Sequence, residues 1–262
     1  MIREPAVSGL FYPDEPETLR QDIRGYLADV SPSRGMPKAI IAPHAGYIYS
    51  GPVAASVYAR LMTGGDEIRR VVLLGPSHRV PFSGLAVPDS THFRTPLGSI
   101  PLDRTAIAQL KRLDQVISLD AAHEHEHSLE VQLPFLQLIL GDFTLIPLVV
   151  GDASSEKVAE VLESLWGGTE TLIVISSDLS HYHDYATAKK MDRATSDAIV
   201  SLHPEKLEYE DACGRIPVKG LLLQAKRLGL KAEVVDLRSS GDTSGDKSRV
   251  VGYGAYAFNE PA

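Results

Sequence analysis

The chain reads as an α/β protein, a mostly parallel central sheet flanked by helices, and three observations predict it. Short apolar runs rich in β-branched residues recur along the chain, helical stretches alternate with them, and no low-complexity linker or internal repeat interrupts the alternation. Near-continuous apolar runs suit strands buried on both faces. Lys38-Ala39-Ile40-Ile41-Ala42 is the first. Val71–Leu74, Leu145–Val150 and Thr171–Ile175 follow, and Glu233–Leu237 and Val250–Tyr256 complete the set. Helices are expected over Thr18–Leu27, Pro52–Met62, Arg104–Leu113, Ser155–Trp166, Ala188–Leu202 and Val218–Leu228. Ser31–Pro37, rich in proline and serine, reads as a loop before the first strand. One domain spanning residues 1–262 is expected.

Composition narrows the function classes. A chain of 262 residues that is 44% hydrophobic and 23% charged is that of a folded globular protein. Its net charge of −8 suits neither a phosphate backbone nor an anionic membrane surface, so neither nucleic acid nor membrane is expected as a partner. No stretch nears the roughly 20 apolar residues of a membrane helix. Met1-Ile2-Arg3-Glu4-Pro5 has no apolar core of a secretory signal. Cys213 is the single cysteine, so no internal disulfide forms and a cytoplasmic location is expected.

The informative residues lie where strands end. The first strand runs into Pro43-His44-Ala45-Gly46-Tyr47, the second into Gly75-Pro76-Ser77-His78-Arg79, and the Thr171 strand into Ser176-Ser177-Asp178-Leu179-Ser180-His181-Tyr182-His183. In open parallel sheets ligands bind along the carboxyl edge of the strands. Neutral imidazole ligates zinc, iron and copper, and two histidines with a third anionic ligand and open positions form the non-haem iron pattern. One histidine after a strand is ordinary loop chemistry. His44 and His78 in matched contexts carry the metal reading, with Tyr47 and Ser77 expected to line the same pocket.

His181 is a candidate general base. If the segment turns helically, Asp178 at i−3 shares its face and orients it, or both face the pocket. The plainer alternative is that Asp178 caps the next helix. His183 has nothing to fix its direction. His123, His125 and His127 alternate, so an extended chain would place them on one face. His123 and His125 suit a solvated loop, whereas His127 and Glu130 are expected to line the pocket. Cys213 precedes an apolar helix. A helix N-terminus and nearby Arg215 would favour its thiolate, a ligand for zinc, copper(I) or iron, and the alternative is an inert buried thiol.

Taken in order, Pro43–Tyr47, Gly75–His78, Glu126-His127-Ser128-Leu129-Glu130, Ser176–His181 and Cys213-Gly214-Arg215-x-Pro217 resemble the signature blocks of the Memo family. The opening Arg3–Pro13 resembles that family's start. The resemblance covers essentially the whole chain and implies a fold like that of class III extradiol dioxygenases, which open catechol rings with iron(II). It implies that His44 and His78 bind the metal, that Cys213 completes the site, that His181 is the acid/base histidine with Asp178 beside it, and that His127 lines the pocket. His123 and His125 match nothing in the family. A thiolate where the dioxygenases carry a carboxylate shifts preference toward copper or zinc. Bacterial and archaeal members, the AmmeMemoRadiSam system protein B type, are often encoded beside a radical-SAM protein, which implies a shared pathway. The expected function is a metal-dependent, dioxygenase-like oxidoreductase acting on a small molecule, with iron as the divalent metal. The alternatives are a non-catalytic copper or iron or partner-binding protein, and a zinc hydrolase using Asp178 or Glu130 as base.

Overall fold

The computed structural model describes residues 1–30 and 35–261, so the first four residues of the expected Ser31–Pro37 loop lie outside the described residues. Among those described, the main sheet has nine strands. They are β1 (Ala39–Ala42), β2 (Arg70–Pro76), β3 (Leu85–Val87), β4 (Val116–Ser118), β5 (Thr144–Val150), β6 (Thr171–Ser176), β7 (His181–His183), β8 (Lys231–Ser239) and β9 (Val250–Asn259). Their order is β7-β9-β1-β6-β2-β5-β3-β4, with β8 also paired to β9. The central four, β1-β6-β2-β5, are parallel. The pairings outside them are antiparallel except β3–β4, so the sheet is mixed around a parallel centre. A separate three-stranded sheet joins Ile2–Arg3, His92–Thr95 and Gly98–Pro101.

Burial explains why the central strands are so apolar. Every residue of β1 and β6 is buried, as is all of β2 and β5 past the first residue. Helices cover both faces. Pro16–Ala28 (α1), Tyr47–Tyr58 (α2), Arg104–Leu110 (α3), Ser155–Leu165 (α6), Tyr185–Val200 (α7) and Arg215–Leu228 (α8) stand near the expected positions. Asp120–Glu124 (α4), Leu133–Leu140 (α5) and Ser240–Thr243 (α9) were not expected. Among the described residues no helix is long and apolar enough to cross a membrane.

The start of α2 differs from expectation for a tertiary reason. The sequence pattern places its start at Pro52. The helix instead begins at Tyr47, whose N–H donates to the Phe11 carbonyl at 2.7 Å, and Pro52 sits inside it. A contact between distant segments outweighs the local signal.

Register positions the site. Ala42 lies opposite Ser176, and Leu74 opposite Ile175, so β1, β6 and β2 are neighbours that end level with one another. The three motifs therefore open onto one rim, at the carboxyl edge of the parallel strands.

Candidate metal centre

His44, His78 and Cys213 converge on that rim. Their ligand atoms all lie within 4.8 Å of one another. Cys213 Sγ is 3.3 Å from His44 Nε2. The His44 and His78 rings stand 5.2 Å apart, edge to face. His127 joins them, 5.4 Å from His44 and stacked on His78 at 4.6 Å. Its other neighbour is Phe11, at 4.9 Å.

Hydrogen bonding fixes which nitrogen of His44 is free. The Ser176 hydroxyl donates its one proton to the Ser128 carbonyl at 2.6 Å and accepts from Gln132 Nε2 at 2.8 Å. His44 Nδ1, 2.8 Å from the same oxygen, must then be the donor. Its Nε2 carries the lone pair and faces Cys213. Burial holds His44 neutral, well below the ordinary imidazole range.

Glu126 does the same for His78. The carboxylate is 2% exposed and accepts from His78 Nδ1 at 2.9 Å and from the backbone N–H groups of His78, His127 and Ser128 at 2.6, 2.9 and 2.9 Å. Burial works against the anion, yet these bonds and His78 bring its pKa down to about 2. His78 is left with Nε2 for a ligand. This is the pattern in which a carboxylate orients a metal-binding imidazole. In the sequence Glu126 carries no mark of this role beyond being an acidic residue directly before His127.

Two glycines allow the close approaches. A Cβ on Gly75 would meet Ser128 Oγ at 2.8 Å, so only glycine lets the 126–129 segment lie on the end of β2. A Cβ on Gly214 would meet Ser177 Cβ at 2.6 Å and the Ser176 carbonyl oxygen at 2.8 Å, which fixes Cys213 against the end of β6.

Several expectations need correcting. Asp178 neither orients His181 nor caps a helix. The segment after β6 stays extended, with the Leu179 N–H donating to the Gly252 carbonyl at 2.8 Å, and Asp184 caps α7. The Asp178 carboxylate instead accepts the His44 N–H at 2.7 Å. Burial lifts its pKa to about 7, against the pull of the His44 and Ala45 N–H bonds. The Cys213 thiolate is not favoured. Burial first, and then the charge of Asp178, push the thiol up, while the Arg215 guanidinium lies 4.4 Å over the Tyr209 ring.

Tyr47 is buried against Phe135 and Tyr12, and its hydroxyl donates to the Val131 carbonyl at 2.8 Å. Glu130 is fully buried behind His127, held by Arg3, the Ala6 and Val7 N–H groups and the Tyr12 hydroxyl. Ser77 turns its hydroxyl to the Val80 carbonyl at 2.6 Å. None of these three side chains is directed at the cluster.

His181 sits in β7, half-buried, close enough for its charge to act on His44. His183 acts instead on Asp192. Between them Tyr182 has φ +63°, a left-handed backbone that is rare for a bulky residue, where the pairing with β9 slips. Such bulges re-aim neighbouring side chains. The Arg249 guanidinium covers the Tyr182 ring at 5.2 Å. Tyr182→Val, β-branched, is expected to lower stability by about 1–2 kcal/mol, with Tyr182→Gly closer to wild type. Urea unfolding of both variants checks this, and a valine variant as stable as the glycine one contradicts it.

The three alternating histidines do not share a face. His123 is in α4 and buried, His125 is exposed, and His127 is in the cluster. His123 Nε2 lies 3.0 Å from the Ala86 carbonyl, and burial lowers the pKa from 6.5 to about 3. Below pH 6.5 the unfolded chain takes up a proton that the folded chain refuses, so stability is full above 6.5 and falls as pH drops toward 3. His123→Gln is expected to lose less stability than wild type between pH 7.5 and 4.5, as read by denaturant unfolding. Equal losses would contradict the assignment.

A family model described as Memo-like protein matches residues 3–257. A MEMO1 family protein of Sulfolobus acidocaldarius is 36% identical, covering 99% of this chain and 100% of its own length. One from Ignicoccus hospitalis is 38% identical with 100% of both chains covered, and one from Aquifex aeolicus 39% with 96% and 97% covered. Among solved structures, an uncharacterized protein from Escherichia coli K12 is similar with a TM-score of 0.56 at 12% identity, covering 85% of this chain and 100% of that one. That likeness is one of fold.

Proposed function

The chain belongs to the Memo family, and we propose that it holds a divalent metal on His44, His78 and Cys213 and uses it, as iron(II), in an oxidoreductase reaction on a small molecule. The observation that carries this reading is the 3.3 Å approach of Cys213 Sγ to the lone pair of His44 Nε2, with the ligand atoms of all three residues within 4.8 Å of one another. The donor set fits. Both imidazoles are oriented by a partner on Nδ1, and the buried thiol lies 3.3 Å from His44 Nε2, where a cation can take the place of the thiol proton. Bound iron(II) would supply a redox-active Lewis acid with positions open to O₂ and a chelating substrate. Metal affinity then rises with pH, because the thiol must lose its proton.

The chain's own residues supply the rest. Asp178, with its pKa near 7, can hold or release a proton at working pH while its oxygen fixes the His44 backbone. His181, whose charge reaches His44 and His78, is the proposed acid/base group. His127 and Phe11 pack along one side of the cluster.

Elemental analysis of anaerobically purified wild type, Cys213→Ser and His44→Ala tests the ligand set. Near-stoichiometric iron that both variants lose is the expected result, followed by O₂ uptake that His181→Ala abolishes without changing metal content. Protein that cannot be loaded with any divalent metal overturns the reading. Stoichiometric copper or zinc without turnover would instead favour a metal-binding protein that does no chemistry, the reading that the soft thiol supports. The zinc hydrolase reading loses Glu130 as a base, since every oxygen of that carboxylate is already held.

A further inference from the structure

We propose that two copies of the chain pair through the outer edge of β8, antiparallel about a two-fold axis at Val235, so that the sheet runs on from one copy into the next. β8 is nine residues long and pairs only with β9, along one edge. β9 gives its other edge to β1 and β7. Beyond the β8–β9 ladder, no backbone bond to residues 231–238 occurs among the described residues. An open edge is a row of unpaired N–H and C=O groups, and proteins that leave one free keep it short. The free edges at the two ends of this sheet, β4 and β7, are three residues each. β8 is far longer, and Val234 on it is 38% exposed.

The bulge in β8 decides which side chains share a face. Pairing with β9 slips between Val234 and Asp236, which leaves Val235 as the extra residue. Glu233 and Asp236, three apart, therefore lie on one face. Glu233 Oε1 accepts from Arg60 Nη1 at 3.1 Å and Asp236 Oδ2 from Ser56 Oγ at 2.7 Å. Arg238 is on that face too, with its Nε donating to the Asp236 carboxylate at 3.1 Å. Val234 and Leu237, alternating with these residues, take the opposite face.

The edge so arranged complements itself, which is why the occupant is a second copy. In a regular strand residues 233 and 238 would point to opposite faces. With the bulge at the centre of the pairing, Glu233 stands opposite Arg238 of the second copy, and Val234 opposite its Leu237. The two-fold makes each contact twice. Glu233 Oε2 and Arg238 Nη1 take no hydrogen bond among the described residues, so each charge keeps an atom for this contact. Both side chains are partly exposed. The next register toward the start of the strand sets Glu233 against Asp236 and Lys231 against Arg238, like charge on like. A shift the other way runs off the end of the strand and shortens the ladder.

Sedimentation of the full chain over a concentration series is the first measurement, and a two-chain species is the expected result. Val234→Lys and the charge reversals Glu233→Arg and Arg238→Glu should each weaken association about tenfold or more, since the two-fold doubles every mismatch. Glu233→Arg combined with Arg238→Glu should regain it. Damage to the bonds with Arg60 and Asp236 inside one copy cannot give that rescue, because the double variant carries both losses. Oxidative cross-linking reads the register. A mixture of Val234→Cys and Leu237→Cys proteins should link residue 234 to residue 237 between copies, faster than either protein alone. If Val234→Lys fails to fold, the charge swap and the cross-link still decide. The proposal is overturned by a chain that stays monomeric up to about 100 μM. A dimer that the single reversals leave intact, or a mixture that cross-links no faster than its components, overturns it equally.

Discussion

Glu130→Ala is expected to lower the free energy of unfolding by about 3–5 kcal/mol, because it strands a buried cation. Glu130 is fully buried and Arg3 is 8% exposed. The carboxylate pairs with the Arg3 guanidinium and also accepts the Ala6 N–H at 2.7 Å, the Val7 N–H at 3.0 Å and the Tyr12 hydroxyl at 2.6 Å. Truncation leaves a positive charge and three polar groups without that partner in a dry interior. The cost of a broken buried pair comes from this uncompensated remainder, not from the attraction lost. A double variant, Arg3→Met with Glu130→Leu, should therefore recover much of the loss, and the two Ala6 and Val7 N–H groups should keep the recovery incomplete. Denaturant unfolding of wild type, Arg3→Met, Glu130→Leu and the double variant closes the cycle. A single-variant loss below about 1 kcal/mol, the range of an exposed pair, would show that the pair is solvated.

The same contacts matter to the site. Glu130 fastens the first residues of the chain to the segment that begins with Glu126 and His127, and Arg3 adds bonds to the His123 and Glu126 carbonyls at 3.0 and 2.7 Å. The opening Arg3–Pro13 block resembled a family signature without any evident chemistry of its own. Its role is mechanical: Arg3, Val7, Phe11 and Tyr12 all pack on or bond to the 126–130 segment or its histidine.

What the sequence made legible follows from how local each signal is. The central strands were readable because burial on both faces leaves a continuous apolar run, and His44 and His78 because each follows such a run directly. That β6 lies between β1 and β2 was not readable, since pairing between residues some 130 positions apart leaves no local mark; Ala42 opposite Ser176 is a tertiary fact. Side-chain direction was lost for the same reason. Tyr47 sits three residues from His44, but the helix that starts at Tyr47 turns its ring into the core. Asp178 and His181 shared a face only if the chain coiled, and the bonds between Leu179, Ser180 and Gly252 keep it extended. For Cys213 the visible charge was Arg215, whereas burial and Asp178, invisible in the sequence, outweigh it.

Glu126→Gln is expected to weaken divalent-metal binding by about 10–100-fold while leaving all three ligands in place. The carboxylate is the acceptor for the His78 Nδ1 proton and so directs Nε2 toward the cluster. With a pKa near 2 it remains an anion throughout the useful pH range, and a negative charge on one side of an imidazole raises the basicity of the nitrogen on the other. Glutamine supplies one acceptor where two oxygens now meet four N–H groups. Its amide nitrogen must face at least one donor, the His78 N–H in the orientation that spares the Nδ1 bond. The charge is lost in either orientation. A stability signature accompanies the affinity change. The Glu126 pKa is depressed from 4.5 to about 2, so its contribution is present above pH 4.5 and disappears as pH falls toward 2, and the glutamine variant should lack that window. Competition with a chelator at pH 7.5 measures the affinity of both proteins. If Glu126→Gln binds metal as tightly as wild type, then either His78 is not a ligand or its orientation owes nothing to Glu126. A further His78→Ala variant separates the two, since its affinity falls only if His78 ligates.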